Sequence, residues 1–172
     1  MDNKKYFYLT EGECEEKLVK ALKLKPALIH SGRVEKYNVI QKTLSDRKLM
    51  LLDPGSVVVL VFDTDKDETE ILKKNINLLK SLSFEVEVLT VAQVLNFEDD
   101  LERSTDVKRA QDFTKSESVS DFKSAVNRMK EESFRGALKR HKLDMSKLWS
   151  QKPPRAFKFV SQDSEKVKGT GQ

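Results

Sequence analysis

Three groups of acidic residues are the parts of this sequence whose types and spacing suit catalysis. The groups are Glu11, the pair Asp63 and Asp65, and the run Glu98, Asp99 and Asp100. In an extended turn, residues two apart point the same way, so Asp63 and Asp65 can share one divalent cation. Carboxylates crowded in this way repel one another unless a cation neutralises them. The spacing therefore predicts a metal site with oxygen ligands.

Cysteine and histidine are too scarce to supply a different kind of metal site. Cys14 is the single cysteine, and His30 and His141 are the two histidines. One cysteine cannot form an internal disulfide, and this set does not suit the usual His and Cys zinc sites. Because no histidine lies near Cys14 in the sequence, we interpret this thiol as an incidental residue rather than a nucleophile.

The first 100 residues alternate between strand-like and helix-like segments, and this order is expected to position the acidic groups. Strands are predicted over residues 5–9, 26–30, 57–62 and 84–88, and helices over 13–23, 35–49 and 71–82. The order βαβαβαβ predicts an α/β fold with a four-stranded, mainly parallel, Rossmann-like sheet. Functional residues of such sheets follow the carboxyl ends of the strands. Glu11 and Asp63 follow the first and third strands, so both are expected at that edge.

The later part of the chain has few strand signals. Apolar residues at helical spacing predict a basic helical extension over 101–160 that packs on the α/β domain of residues 1–100. Residues 156–160 are predicted to add an edge strand or strap. Residues 161–172 are predicted to be a flexible tail.

Positive charge is concentrated in this later part. Residues 1–100 carry 15 basic and 18 acidic side chains, whereas residues 101–172 carry 17 and 10. Such a density either favours nucleic acid as a partner or marks a solvated helical surface. The cations predicted to contact phosphates are Arg103, Lys108, Lys139, Arg140 and Lys142. Trp149 either stacks on a base or anchors the extension in the core.

Length and composition limit the class of protein. The chain has 172 residues, a net charge of +4, 35% charged residues and 38% hydrophobic residues. This length predicts one domain with an appendage, and apolar runs such as residues 57–62 are not typical of disordered chains. The longest uncharged apolar run is far shorter than the roughly 20 residues of a membrane span, and the N-terminus lacks a signal-peptide core. We expect a cytoplasmic protein with no membrane partner.

At its acidic groups the sequence resembles the TOPRIM domain of topoisomerases, bacterial primases and small nucleases. Glu11-Gly12 follows the first predicted strand and Asp63-Thr64-Asp65 follows the third, within residues 4–100. The resemblance implies that Glu11 is a general acid or base near the scissile phosphate. It also implies that Asp63 and Asp65 bind Mg²⁺ or Mn²⁺.

The segment from Tyr8 to Glu16 is similar to one group of TOPRIM enzymes, the overcoming-lysogenization-defect nucleases. In those enzymes a second glutamate on the first helix and a later acidic cluster complete a two-metal site. By position, Glu15 takes the first of these places, and Glu98 or Asp100 takes the second.

The resemblance implies a magnesium-dependent nuclease, or a related phosphoryl-transfer enzyme, that acts on nucleic-acid phosphodiesters. Phage-defence nucleases and nucleases that mature ribosomal RNA are the nearest models. Topoisomerase and primase activities are disfavoured because the chain lacks the further domains that they require. Two alternatives stay open: a non-catalytic nucleic-acid-binding or regulatory module, and a subunit that works with a partner protein or as a homodimer.

Asp63-Thr64-Asp65 also resembles the Asp-x-Asp-x-Thr motif of haloacid-dehalogenase-like phosphatases. Those enzymes carry the motif on the first strand of their core, whereas two βα units precede it here. Thr69 also lies two positions too late for the motif. We therefore rank this resemblance below TOPRIM.

Overall fold

The computed structural model describes residues 4–169, which form a sheet with helices on both faces. The strands are β1 (Tyr6–Thr10), β2 (Gly32–Lys36), β3 (Val57–Asp63) and β4 (Glu87–Gln93). The helices are α1 (Glu13–Leu22), α2 (Asp46–Leu49), α3 (Glu70–Lys80), α4 (Phe97–Ser104), α5 (Val119–Arg128), α6 (Glu131–Arg140) and α7 (Ser164–Val167), with 3-10 turns at Ala110–Phe113 and Arg155–Phe157. No helix in this described part is long and apolar enough to cross a membrane.

The sheet is fully parallel, and its strand order is β2-β1-β3-β4. The predicted α/β fold with a four-stranded Rossmann-like sheet is therefore confirmed. β1 and β3 are neighbours, and Thr10 pairs with Val61 in their register. This pairing places the residues that follow the two strands side by side at the carboxyl edge of the sheet.

One face of the sheet packs against α1 and the helical extension. Alternate residues of β3 point to this side, and they share a core with three fully buried aromatic residues of the extension, Phe122, Phe134 and Trp149. The extension thus shares the core of the sheet. Trp149 is the core anchor that the sequence offered as one of two interpretations, since a side chain with no exposed surface cannot stack on a base.

The other face packs against α3 and the segment between β2 and β3. Val39, Ile40 and Leu44 are buried there, as expected for core residues, but their backbone is irregular and α2 is confined to Asp46–Leu49. The fully buried Asn75 explains the difference from the helix predicted over 35–49. Its side chain accepts a hydrogen bond from the Leu44 N–H (2.7 Å) and donates to the carbonyls of Val39 (2.9 Å) and Lys42 (2.8 Å). These bonds satisfy backbone groups that a helix would have paired internally.

Two strands lie elsewhere than predicted. The second is Gly32–Lys36 rather than 26–30, because the apolar Ile29 is buried outside the sheet and forms an isolated bridge with Lys168. β2 is rich in charged residues because an edge strand keeps its side chains partly in water. The fourth strand starts at Glu87 and runs to Gln93, later than the predicted 84–88.

Residues 161–169 pack on the sheet, in contrast to the flexible tail predicted for 161–172. The Asp163 N–H donates to the Thr90 carbonyl (2.7 Å), and the Gln162 side chain bonds both backbone groups of Ala92 (2.9 and 2.8 Å). This segment covers the free edge of β4. The edge strand predicted over 156–160 does not form, because its start lies in the 3-10 turn Arg155–Phe157, and residues 170–172 lie outside the described residues.

Candidate active site

Glu11 and Gly12 connect β1 to α1 at the carboxyl edge of the sheet. The Glu11 N–H donates to the Val61 carbonyl (3.1 Å), which extends the pairing between β1 and β3 by one residue. A Cβ atom at Gly12 would lie 2.6 Å from Oε2 of Glu15. A larger residue here would displace the Glu15 carboxylate, which folds back over the start of its own helix.

The carboxylate of Glu11 is held against the end of β3. Its Oε2 accepts the N–H of Asp63 (2.8 Å), and its Oε1 accepts the Asn38 side-chain amide (3.4 Å). The expected approach of Glu11 to Asp63 is therefore confirmed. Asn38, which follows β2, shows that a third strand contributes to the same edge.

Asp63 is the most strongly perturbed carboxylate of the group. Its Oδ1 is buried and has no hydrogen-bond partner among the described residues. Burial, followed by repulsion from Glu15, Glu11 and Asp65, raises the pKa of Asp63 to about 9. At neutral pH this group needs either a proton or a bound cation.

The two neighbouring glutamates show the same trend. Burial raises the pKa of Glu15, and the nearby Glu11 carboxylate raises it further. Burial also raises the pKa of Glu11, and Asp65 adds to this effect, whereas the N–H of Asp63 opposes it. Three carboxylates with raised pKa values on adjoining elements are typical of a functional site.

These carboxylates open into a cavity of about 460 Å³. Its lining includes Glu11, Glu15, Asp63, Asn38, Asn127, Lys36 and Lys123. Lys123 forms an ion pair with Glu98 (2.6 Å), and Lys36 forms one with Glu13 (2.9 Å). The cavity thus has an acidic floor and two lysines at its walls, a combination that suits a phosphate group next to a cation.

Sequence reasoning missed Lys123, Asn38 and Asn127. Asn38 follows β2 directly, but the predicted strand and helix of that region were misplaced, which concealed its position at the sheet edge. Lys123 and Asn127 lie on α5, one turn apart. The charge density of the extension was the only signal for Lys123, and the sequence held none for Asn127. Their contact with α1 is set by tertiary packing: Asn127 donates to Glu13 (2.9 Å) and lies 3.4 Å from the thiol of Cys14.

Cys14 borders the cavity without the properties of a nucleophile. Burial, with the negative charge of Glu15, raises the pKa of its thiol to about 12. The thiol therefore stays protonated at neutral pH. This finding agrees with the interpretation of Cys14 as an incidental residue.

Two of the predicted site residues have other partners. Asp100 accepts the backbone N–H of Trp149 (3.2 Å) and contacts Arg103 (3.4 Å), while Arg103 donates to the Val94 carbonyl (2.7 Å). Both side chains fasten the extension to the end of β4, and neither lines the cavity. We therefore leave Asp100 out of the metal site and Arg103 out of the phosphate contacts.

Asp65 and Glu98 lie at the margin of the site. Asp65 is exposed and absent from the cavity lining, although its charge raises the pKa of Glu11. Glu98 is buried and reaches the cavity through its ion pair with Lys123. The metal roles predicted for these two residues remain predictions.

The predicted basic patch of Lys139, Arg140 and Lys142 lies away from the cavity. α6 runs beside α1 in the same direction, because Glu131 contacts Lys17 (3.7 Å) and Arg135 reaches the Pro26 carbonyl (2.9 Å). The cavity is at the start of α1, so the patch at the end of α6 faces the opposite edge of the sheet. Lys108 is also exposed and does not line the cavity.

No family model, no curated protein and no solved structure matches this chain. The resemblance to TOPRIM therefore rests on the residues quoted above. Because a fold alone does not define a function, the chemistry of the cavity is the basis for the function of this chain.

Proposed function

We propose that this chain is a magnesium-dependent hydrolase of nucleic-acid phosphodiesters, with its active site in the cavity between Glu11, Glu15 and Asp63. The observation that carries the proposal is the Asp63 carboxylate. It is partly buried, its buried Oδ1 has no partner among the described residues, and its pKa is raised to about 9 next to two further carboxylates. An arrangement that costs stability in this way is typical of a site built for a cation.

The donors of the cavity fit Mg²⁺ or Mn²⁺ in their chemistry. Both ions prefer oxygen, and carboxylates are the donors present. Among residues 4–169, no three His, Cys, Asp or Glu side chains lie close enough together to be ready-made ligands. Mg²⁺ nevertheless often takes only one or two protein carboxylates and keeps several waters. Asp63 would be the principal ligand, with Glu15 as the nearest candidate for a second.

Each residue of the cavity has a defined part in the proposed reaction. The bound ion would activate water and neutralise charge on the phosphate. Glu11 is held by the Asp63 N–H and the Asn38 amide, and burial raises its pKa, a direction that suits a group that transfers a proton. Lys36 and Lys123 supply the positive charge that orients the phosphodiester.

The charge of the whole chain supports nucleic acid as the substrate. Residues 101–172 carry 17 basic and 10 acidic side chains, and this extension is packed directly against α1. Lys139, Arg140 and Lys142 at the far end of α6 would bind phosphates remote from the point of cleavage, which adds affinity without sequence preference. By resemblance, phage defence and RNA processing are the two cellular roles to examine first.

A cleavage assay tests the proposal. Purified protein is incubated with single- and double-stranded DNA and RNA in the presence of Mg²⁺, Mn²⁺ or a chelator. We expect metal-dependent cleavage that Asp63→Asn and Glu11→Gln both abolish. Glu11→Gln should still be stabilised by Mg²⁺ in a melting experiment, because it removes the proton-transfer group and keeps the principal ligand.

Asp67→Asn is the matched control. Asp67 is exposed, lies four residues after Asp63, and does not line the cavity, so this variant should cleave like the wild type. Binding of nucleic acid without cleavage under all metal conditions would refute the enzyme. The non-catalytic binding module would then replace it.

A further inference from the structure

The two edges of the sheet differ in how they are covered. The β4 edge is bonded to residues 161–163, which pair with its backbone. Among residues 4–169, no strand pairs with the outer side of β2. An open strand edge is a ready template for another chain, and proteins usually cover or disrupt it.

The backbone of β2 presents its central residue outward. The Tyr37 N–H donates to the Thr10 carbonyl (2.7 Å), and the Thr10 hydroxyl donates to the Glu35 carbonyl (3.3 Å). Backbone groups alternate in direction along a strand, so those of Arg33 and Glu35 face β1. The N–H and carbonyl of Val34 therefore point away from the sheet.

The residues that flank Val34 carry opposite charges. Arg33 and Glu35 lie on the same face of the strand and form an ion pair with each other. In an antiparallel pair of two β2 strands centred on Val34, each Arg33 would lie directly opposite the Glu35 of the other copy. Such positions are non-hydrogen-bonded pairs, where opposite side chains come closest.

We propose that the β2 edge binds a second copy of this chain, with the two β2 strands antiparallel about Val34 and the two sheets joined into one of eight strands. The charge pattern is self-complementary under the two-fold axis that such a pairing requires. The β2 edge is thus complementary in charge to the β2 edge of a second copy.

Apolar surface next to β2 supports the same partner. Met50 is 83% exposed and Leu51 is 44% exposed, and the turn they form follows α2, whose Lys48 contacts Glu35. Leu51 also lines a cavity of about 510 Å³ with Arg33 and Phe7. Exposed large apolar residues beside an open edge are typical of an interface. Pairing through β2 would bring this turn of each copy close to its partner.

The affinity should be modest. A five-residue strand and one flanking turn form less than a standard interface of about 1,600 Å². We therefore expect a concentration-dependent dimer with a Kd of about 1–100 μM.

The test is a charge-reversal exchange followed by sedimentation or light scattering. Wild type should reach twice its monomer mass of 19.8 kDa as concentration rises. Arg33→Glu alone and Glu35→Arg alone each place like charges opposite each other, and each should lose at least about tenfold in dimer affinity. An equimolar mixture of the two variants should form a mixed dimer, because both positions are then acidic in one copy and basic in the other.

The mixture separates this proposal from simple misfolding. Circular dichroism verifies that each variant is folded. The control variant Lys80→Glu, which makes the same charge change as Arg33→Glu but on α3, should dimerise like the wild type. A wild type that stays monomeric at several hundred micromolar would overturn the proposal. So would variants that dimerise as well as the wild type, or a mixture that does not regain the dimer.

Discussion

Asp63 and Asp100 are two aspartates near the carboxyl edge of the sheet, Asp63 partly buried and Asp100 fully buried, and their surroundings differ. Asp100 accepts the Trp149 N–H and contacts Arg103, and although burial raises its pKa to about 6, these partners oppose the shift. Asp63 has an oxygen with no partner among the described residues and three acidic neighbours, and its pKa is raised to about 9. One carboxylate is supplied with donors, and the other is surrounded by like charge.

The comparison separates structural from functional acid groups. A carboxylate that holds the fold together is given hydrogen-bond donors, because an unsatisfied buried group costs free energy of folding. A carboxylate that is buried without donors is kept at that cost for another purpose, and a cation is the partner that would relieve it. Both aspartates belong to acidic groups that follow strands, so sequence spacing alone could not distinguish them.

The largest expected effect is on cleavage. Asp63→Asn should lower the rate of metal-dependent cleavage by at least about 100-fold, because it removes the principal ligand while leaving a folded protein. Asp100→Asn should retain the specific activity of the folded fraction. The test is the cleavage rate of each variant per folded molecule. An equal loss of rate in both variants would contradict the distinction between the two aspartates.

The next effect is on stability. Asp100→Ala should lower the free energy of unfolding by about 3 kcal/mol, since it leaves the Trp149 N–H and Arg103 without their acceptor. For a chain of this size that corresponds to a fall in Tm of ~6–12 °C. Asp99→Ala, one residue earlier on α4 and half-exposed, serves as the control and should change Tm by about 2 °C or less. Equal melting of the two variants would show that Asp100 does not anchor the extension.

The elements of the fold were predictable where hydrophobic periodicity was strong. Val57 to Phe62 is apolar at every position and is a strand buried on both faces, and the helix over α3 follows from its apolar spacing. β2 was misplaced because an edge strand is charged and resembles a loop. The helix expected after it does not form because Asn75, more than 30 residues away, supplies the hydrogen bonds of that segment.

The candidate site was also predictable only in part. Glu11 and Asp63 follow from the rule that residues after parallel strands share one edge. The parts contributed by Lys123 and Asn127 depend on how the extension packs on α1, and a local pattern carries no information about that contact. For the same reason the sequence could not show that Asp100 points toward Trp149 rather than into the cavity.

The pH dependence of stability sharpens the comparison further. The pKa of Asp63 is raised in the folded state to about 9, above its unfolded value near 4. Protonated Asp63 therefore contributes to the stability of the folded state below pH ~4, and this contribution is lost as the pH rises toward 9. Asp63→Asn cannot ionise, so without metal it should melt about 2–8 °C higher than wild type at pH 8, and the gap should close at pH 4. Thermal melts of both proteins between pH 4 and pH 8 without metal measure this difference in Tm.

Added Mg²⁺ should raise the Tm of the wild type and leave Asp63→Asn unchanged. If Asp63→Asn instead melts lower than the wild type at every pH, Asp63 has a structural partner. The contrast with Asp100 would then fail.

The smallest expected effect concerns Lys123, the cation that moderates the acidic group. Its charge lowers the pKa values of Glu15 and Asp63, although burial and the neighbouring carboxylates outweigh it. Lys123→Gln should therefore raise both pKa values further but strengthen Mg²⁺ binding at pH 7 by about 3-fold, because removing one positive charge favours a divalent ion more than it favours the competing proton. The gain should be larger at pH 9 and above, where the carboxylates ionise in either protein and protons no longer compete with the metal. The control is Lys130→Gln, an equal charge change at an exposed position before α6, which should leave Mg²⁺ affinity unaltered. Calorimetric titration of the three proteins with Mg²⁺ at both pH values separates a local charge effect from a general one. A loss of Mg²⁺ affinity in Lys123→Gln would mean that Lys123 acts by positioning Glu98 through their ion pair rather than by its charge on Asp63.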